Sequence, residues 1–197
     1  MIIKKSTFIC HLYRIESEEE AKDIIQQIKK EHWKASHNCS AYVLGSNQSI
    51  QRSSDDGEPS GTAGVPMLDI LKVRDLKNVL AVVTRYFGGT KLGAGGLIRA
   101  YSGVVADAIN HVGLVEGRLQ SAIHVICDYA AHGKIDYFLE NQTQYTLKET
   151  IYTHEVELII MVDEKDVSDF KKDITNLLSG QVKIKTGEKE YVEIPVS

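Results

Sequence analysis

Apolar positions along the first part of the chain change period several times, and each change predicts an element. Residues 3–13 read as one strand. Ser17 then opens a helix with Glu20 three positions on, the reciprocal arrangement of a capping box, and Ala21, Ile24, Ile25 and Ile28 fall on one stripe. The opposite face, Glu18, Glu19, Lys22, Gln26, Lys29 and Lys30, reads as solvated surface, with Glu18 and Lys22 at the supportive i,i+4 spacing. Residues 40–44 predict a short strand, and residues 45–61, rich in Gly, Ser and Asp, predict a loop. Over residues 64–76 Val65, Leu68, Leu71 and Leu76 recur at mostly helical spacing, and Pro66 is tolerated because it falls in the first turn. Residues 79–83 are a continuous apolar run, the mark of a strand buried on both faces. A glycine-rich segment follows, and then a helix with Leu97, Ala100, Tyr101, Val104, Val105 and Ala108 inward.

After Gly117 the pattern becomes strand (119–130), helix (134–141), strand (145–152), strand (154–162), helix (167–178) and strand (181–194). This β-α-β-β-α-β order is that of the ferredoxin-like unit. Val156 and Leu158 alternate with Glu155 and Glu157, so one sheet face takes the helices and the other is more polar. The change of pattern near residues 113–117 predicts an α+β protein of two domains, 1–115 and 118–197.

Composition narrows the function classes. The 197 residues, 43% hydrophobic and 25% charged, are globular averages, and no apolar run is long enough to span a membrane. The first residues lack the pattern of a secretory signal, which predicts a cytoplasmic chain. Cys10, Cys39 and Cys127 are odd in number and have no CxxC spacing, so neither a disulfide framework nor a zinc finger is expected. Residues 1–117 carry 14 Lys+Arg against 13 Asp+Glu (+1), and residues 118–197 carry 9 against 14 (−5). Because nucleic-acid affinity comes from cations that displace counterions, any RNA contact is expected in the N-terminal half. Lys183 and Lys185 near Tyr191 suggest an RNA-stacking sheet, but Glu188, Glu190 and Glu193 follow, so the C-terminal domain reads as a protein-contact surface.

Three constellations bear on chemistry. Gly88, Gly89, Gly93, Gly95 and Gly96 lie between a buried strand and a helix. They suit either an anion-binding loop, with Lys91 and Arg99 as compensating charge, or a corner that packs tightly against another element. The spacing is neither that of a P-loop nor that of a dinucleotide fingerprint. The second constellation, residues 55–62, places Asp55, Asp56 and Glu58 beside Ser60 and Thr62. It could hold Mg²⁺ or a general base if it faces the glycines, or be a turn in which Ser60 or Thr62 caps the next helix. His32, His37 and Cys39 fall short of the ligand set of a zinc site, and no metal or cofactor is expected.

The motifs at residues 35–42 (Ala-Ser-His-Asn-Cys-Ser-Ala-Tyr), 55–64 (Asp-Asp-Gly-Glu-Pro-Ser-Gly-Thr-Ala-Gly) and 85–93 (Arg-Tyr-Phe-Gly-Gly-Thr-Lys-Leu-Gly), the last followed by Gly95-Gly96-Leu97, occur in order. Together they resemble the IMPACT family in its bacterial YigZ-type form. The resemblance implies an N-terminal two-layer domain like the second domain of ribosomal protein S-five. It also implies a C-terminal ferredoxin-like domain similar to the last domain of elongation factor G, in line with the order read above. Eukaryotic relatives regulate translation by competing for an activator of a stress-responsive initiation-factor kinase. No catalytic residue carries over. A signature surface does: His37, Asp56, Glu58, Ser60, Thr62, Arg85, Tyr86, Lys91 and Arg99.

The function expected from these readings is a non-enzymatic binding protein that regulates translation through the ribosome, a translation factor or RNA. The alternative is a phosphate-ligand or phosphoryl-transfer enzyme that uses the glycine segment and the carboxylate loop.

Overall fold

A computed structural model describes residues 1–196 and divides into two compact units, Met1–Gly113 and a second that starts at Leu114. The α+β class holds in both.

In the first unit β1 (Ile2–Ile3), β2 (Ser6–Arg14), β3 (His37–Leu44), β4 (Ile50–Ser54) and β5 (Val79–Tyr86) form one antiparallel sheet in the order β1-β2-β5-β3-β4. The expected single strand over residues 3–13 is therefore a hairpin. Lys4 and Lys5, at φ +43° and +67°, turn the chain within it. Residues 45–61 are not all loop, because β4 lies among them.

Helix α1 (Glu18–Glu31) starts as its capping residues require: Ser17 Oγ accepts from the Glu20 N–H at 3.1 Å. The return bond goes from the Glu16 N–H to Glu20 Oε2. Its Ala21 and Ile28 are buried with Tyr42, Leu44, Leu80 and Val82. Neighbouring residues along a strand point to opposite faces, so Ala81 and Val83 face the other way, and they too are fully buried. On that face α2 (Gly64–Val73) contacts β3 and β4, α3 (Ala94–Val112) contacts β2 and β5, and the two helices contact each other. Helices thus cover both faces of β5, one layer more than the two-layer domain that the resemblance implies. Helix α2 buries Pro66, Met67 and Leu71 and leaves Val65 exposed. The inward stripe of α3 is Leu97, Ala100, Tyr101, Val104, Val105 and Ile109.

The second unit runs β6 (Leu114–Cys127), α4 (Tyr129–Glu140), β7 (Thr146–Tyr152), β8 (Val156–Asp163), α5 (Val167–Leu177) and β9 (Lys183–Val196). Its antiparallel sheet has the order β7-β8-β6-β9, the topology of a ferredoxin-like unit. Ile123, Val125, Val156, Leu158 and Ile160 form one core with Ile135 of α4 and Phe170 and Ile174 of α5. Among the described residues no helix is long and apolar enough to cross a membrane.

Candidate functional site

The second motif is built around Asp55. Its carboxylate accepts from the backbone N–H groups of Gly61 (2.8 Å), Ala63 (3.0 Å) and Gly64 (2.8 Å), and so caps α2 from eight residues before the N-cap position. Ser60 and Thr62 do not cap: Ser60 is exposed, and Thr62 Oγ1 donates to the Pro59 carbonyl. Burial by itself raises the Asp55 pKa, but the three N–H groups outweigh it and hold the carboxyl below its ordinary value.

Asp56 turns the other way. Its Oδ1 meets Lys29 Nζ at 2.5 Å and its Oδ2 accepts from the Asn38 N–H at 2.7 Å, so Lys29 is a partner of this loop rather than plain surface. The Asp56 carbonyl accepts from His37 Nδ1 at 2.8 Å. Asp55 and Asp56 are committed to different neighbours, and a Mg²⁺-holding cluster does not assemble. Among the described residues no three His, Cys, Asp or Glu side chains are placed to hold a metal ion.

Glu58 is the carboxylate that faces the glycine segment. Arg85 NH1 donates to its Oε1 at 2.6 Å and Tyr101 Oη donates to the same oxygen at 2.8 Å. Its Oε2 lies 3.8 Å from His37 Nε2. Register explains the meeting: His37, on β3, pairs across the sheet with Arg85 on β5, and Arg85 pairs with Phe8 on β2, so the three side chains share one face. The Arg85 guanidinium sits 5.4 Å from the Phe8 ring centre and 5.5 Å from that of Phe87, and its NH2 donates to Ser6 Oγ. Burial pushes the neighbouring Cys39 thiol up to about 12, so this cysteine is an inert thiol that donates to the Asp55 carbonyl. Burial likewise raises the Tyr101 hydroxyl, which stays a neutral donor.

The glycines divide by role. A Cβ on Gly88 would stand 2.0 Å from the Lys5 carbonyl, and the Gly88 N–H donates to Ser6 Oγ, so this glycine serves close packing. Gly93 is the N-cap of α3 at φ +73°, with no side-chain cap and no acidic residue in the first turn of the helix. Gly95 and Gly96 lie in that first turn. A cavity of about 340 Å³ opens beside it, lined by His37, Glu58, Arg85, Lys91 and Gly93 and by the apolar Pro59, Phe87, Leu92 and Leu97.

Of the residues expected at a site, His37, Glu58, Arg85, Lys91 and Gly93 therefore come together. Asp56 supports His37 from behind. Tyr86 shares a hydrogen bond with His32 on the opposite face, and Arg99 lies beside Gly95 but not on the cavity wall. Sequence reasoning missed Ser6, Phe8 and Tyr101. Ser6 and Phe8 fall inside the strand expected over residues 3–13 and Tyr101 on the inward stripe of the helix that follows the glycines, positions that carry no mark of a site.

Comparison with known proteins places these motifs. The model of the Impact N-terminal domain matches residues 4–109, and that of a domain of unknown function (DUF1949) matches residues 125–181. The chain is 53% identical over 197 residues to the IMPACT family member YvyE of Bacillus subtilis, covering 100% of this chain and 90% of that protein. It is 45% identical over 112 residues to the IMPACT family member YigZ of Escherichia coli, covering 56% of this chain and 55% of that one. A crystal structure described as that of a hypothetical protein is similar at a TM-score of 0.56 and 32% identity, over 96% of this chain and 93% of the other.

Proposed function

The chain belongs to the IMPACT family, and from that premise we propose that it is a non-enzymatic binding protein of the cytoplasm that regulates translation, touching the ribosome or a translation factor through its N-terminal unit. The placement rests on where positive charge and exposed rings coincide. Lys4 and Lys5 form an exposed turn packed against Gly88. Phe87, 48% exposed, and the exposed Lys91 flank that glycine in sequence. Trp33, 74% exposed, stands at the end of α1 with Lys34 Nζ 5.1 Å from its ring centre. Cations that neutralise phosphates and rings that stack on bases are the two parts of a contact with exposed RNA segments. The −5 balance of residues 118–197 supports the other half of the reading, in which the C-terminal unit meets protein rather than phosphate.

The test is co-sedimentation of the full chain with ribosomes at rising salt. Co-migration at low salt that is released as salt rises, and that is weakened by the double substitution Lys4→Glu, Lys5→Glu, is the expected result. Binding indifferent to salt and to that substitution removes the reading.

A further inference from the structure

The cavity beside α3 has features that packing alone does not account for. Its size, about 340 Å³, lies in the lower range of small-molecule pockets, roughly 300–1,000 Å³. Its wall is mostly apolar, through Pro59, Phe87, Leu92 and Leu97, with a few polar groups set into it, a composition shared with small-molecule pockets.

The polar groups carry a definite sign. Helix α3 is 19 residues long, and its N-terminus meets the cavity without a side-chain cap and without an acid in its first turn. Its free N–H groups and dipole therefore present partial positive charge there. Lys91 adds a full charge. Arg85, only 4% exposed, forms part of the wall, and its Nε is buried with no hydrogen-bond partner, an unmet donor of the kind that native proteins seldom leave. Among the described residues Glu58 is the only carboxylate on the wall, and its charge is met by Arg85 at 2.6 Å and by the Tyr101 hydroxyl at 2.8 Å. The balance left over is positive.

We propose that this cavity binds a small organic oxyanion, a phosphate or carboxylate head on an apolar body. The head lies at the first turn of α3 beside Lys91, and the body lies against Phe87, Leu92, Leu97 and Pro59. A bare inorganic anion satisfies only half of the wall, since it leaves those four side chains wet. The proposal goes beyond translational control and does not depend on it, because binding is read on the chain alone.

The probes are phenyl phosphate, benzoate and inorganic phosphate, titrated into the full chain while the backbone amides of Gly95 and Gly96 are followed by NMR. Phenyl phosphate or benzoate is expected to shift both amides, and which of the two binds more tightly identifies the head. Inorganic phosphate is expected to bind at least several-fold more weakly than phenyl phosphate. Lys91 is exposed, so Lys91→Ala keeps the fold, and it should weaken binding about tenfold through loss of one charge-assisted hydrogen bond. Leu92→Asp, which puts a carboxylate on the apolar wall, should abolish binding while the amide spectrum elsewhere is retained. Three results each overturn the proposal: no shift at Gly95 and Gly96 with either organic anion, equal affinity for phosphate and phenyl phosphate, or affinity unchanged by Lys91→Ala.

Discussion

Glu58 and Arg85, 27 residues apart in sequence, meet as an ion pair of 2.6 Å with side chains only 3% and 5% exposed. Two charges withdrawn this far from water depend on each other. Removing one leaves the other desolvated and uncompensated, whereas removing both leaves neither cost.

The first prediction follows from that dependence. Arg85→Met should destabilise the N-terminal unit by about 3–5 kcal/mol, and adding Glu58→Gln to it should recover a substantial part of the loss. Urea unfolding of the two single variants and the double variant measures the coupling. Additive losses would show that the pair is not a unit.

Asp55 holds three backbone N–H groups at the start of α2, and losing that cap by Asp55→Ala should cost about 1–2 kcal/mol at neutral pH. The pH dependence has a definite sign. The Asp55 pKa is depressed in the folded chain, so its contribution is fully present above the unfolded value of about 3.9 and is lost as pH falls through the folded one. The gap in stability between the native chain and Asp55→Ala should therefore close in acid. A gap that stays constant down to pH values well under that of a free carboxyl would show that the carboxylate charge is not what caps α2.

Two glycine substitutions should move stability in opposite directions. Gly88→Ala drives a Cβ to 2.0 Å from the Lys5 carbonyl, backbone against backbone, and should cost about 3 kcal/mol or more. Gly103, inside α3 with open space around the added Cβ, should gain roughly 0.5–1 kcal/mol on change to Ala. Thermal melts of the two variants give the comparison.

The cores on either side of Gly113 are expected to be separable. Fragments 1–113 and 114–197 should each unfold cooperatively when expressed alone, because each carries its own sheet and its own buried apolar cluster. A fragment that shows no cooperative transition would mean that its core depends on the other unit.

The sequence by itself determined the elements whose side chains report which way they face. Strand β5 is legible as an unbroken apolar run because helices cover both its faces, and α1 and α3 are legible because a buried stripe repeats with the helical period. The order of the second unit follows from the same signal, and the three motifs were enough to place the chain in its family. Elements without a buried face left no such record. Strand β4, with an exposed polar stretch at the sheet edge, read as loop. The Lys4-Lys5 turn carries none of the glycine or asparagine that marks positive φ.

What only the tertiary structure decided is which groups meet. Asp55, Asp56 and Glu58 are neighbours in sequence, yet one caps α2, one holds Lys29 and the third pairs with Arg85. Gly88 and Gly93 belong to one glycine-rich run, yet the first serves a close approach to Lys5 and the second opens α3 beside a cavity. Periodicity records the facing of a residue relative to its near neighbours in the chain. Pairing of Phe8, His37 and Arg85 across three strands is instead set by register and chain closure, which no local pattern encodes.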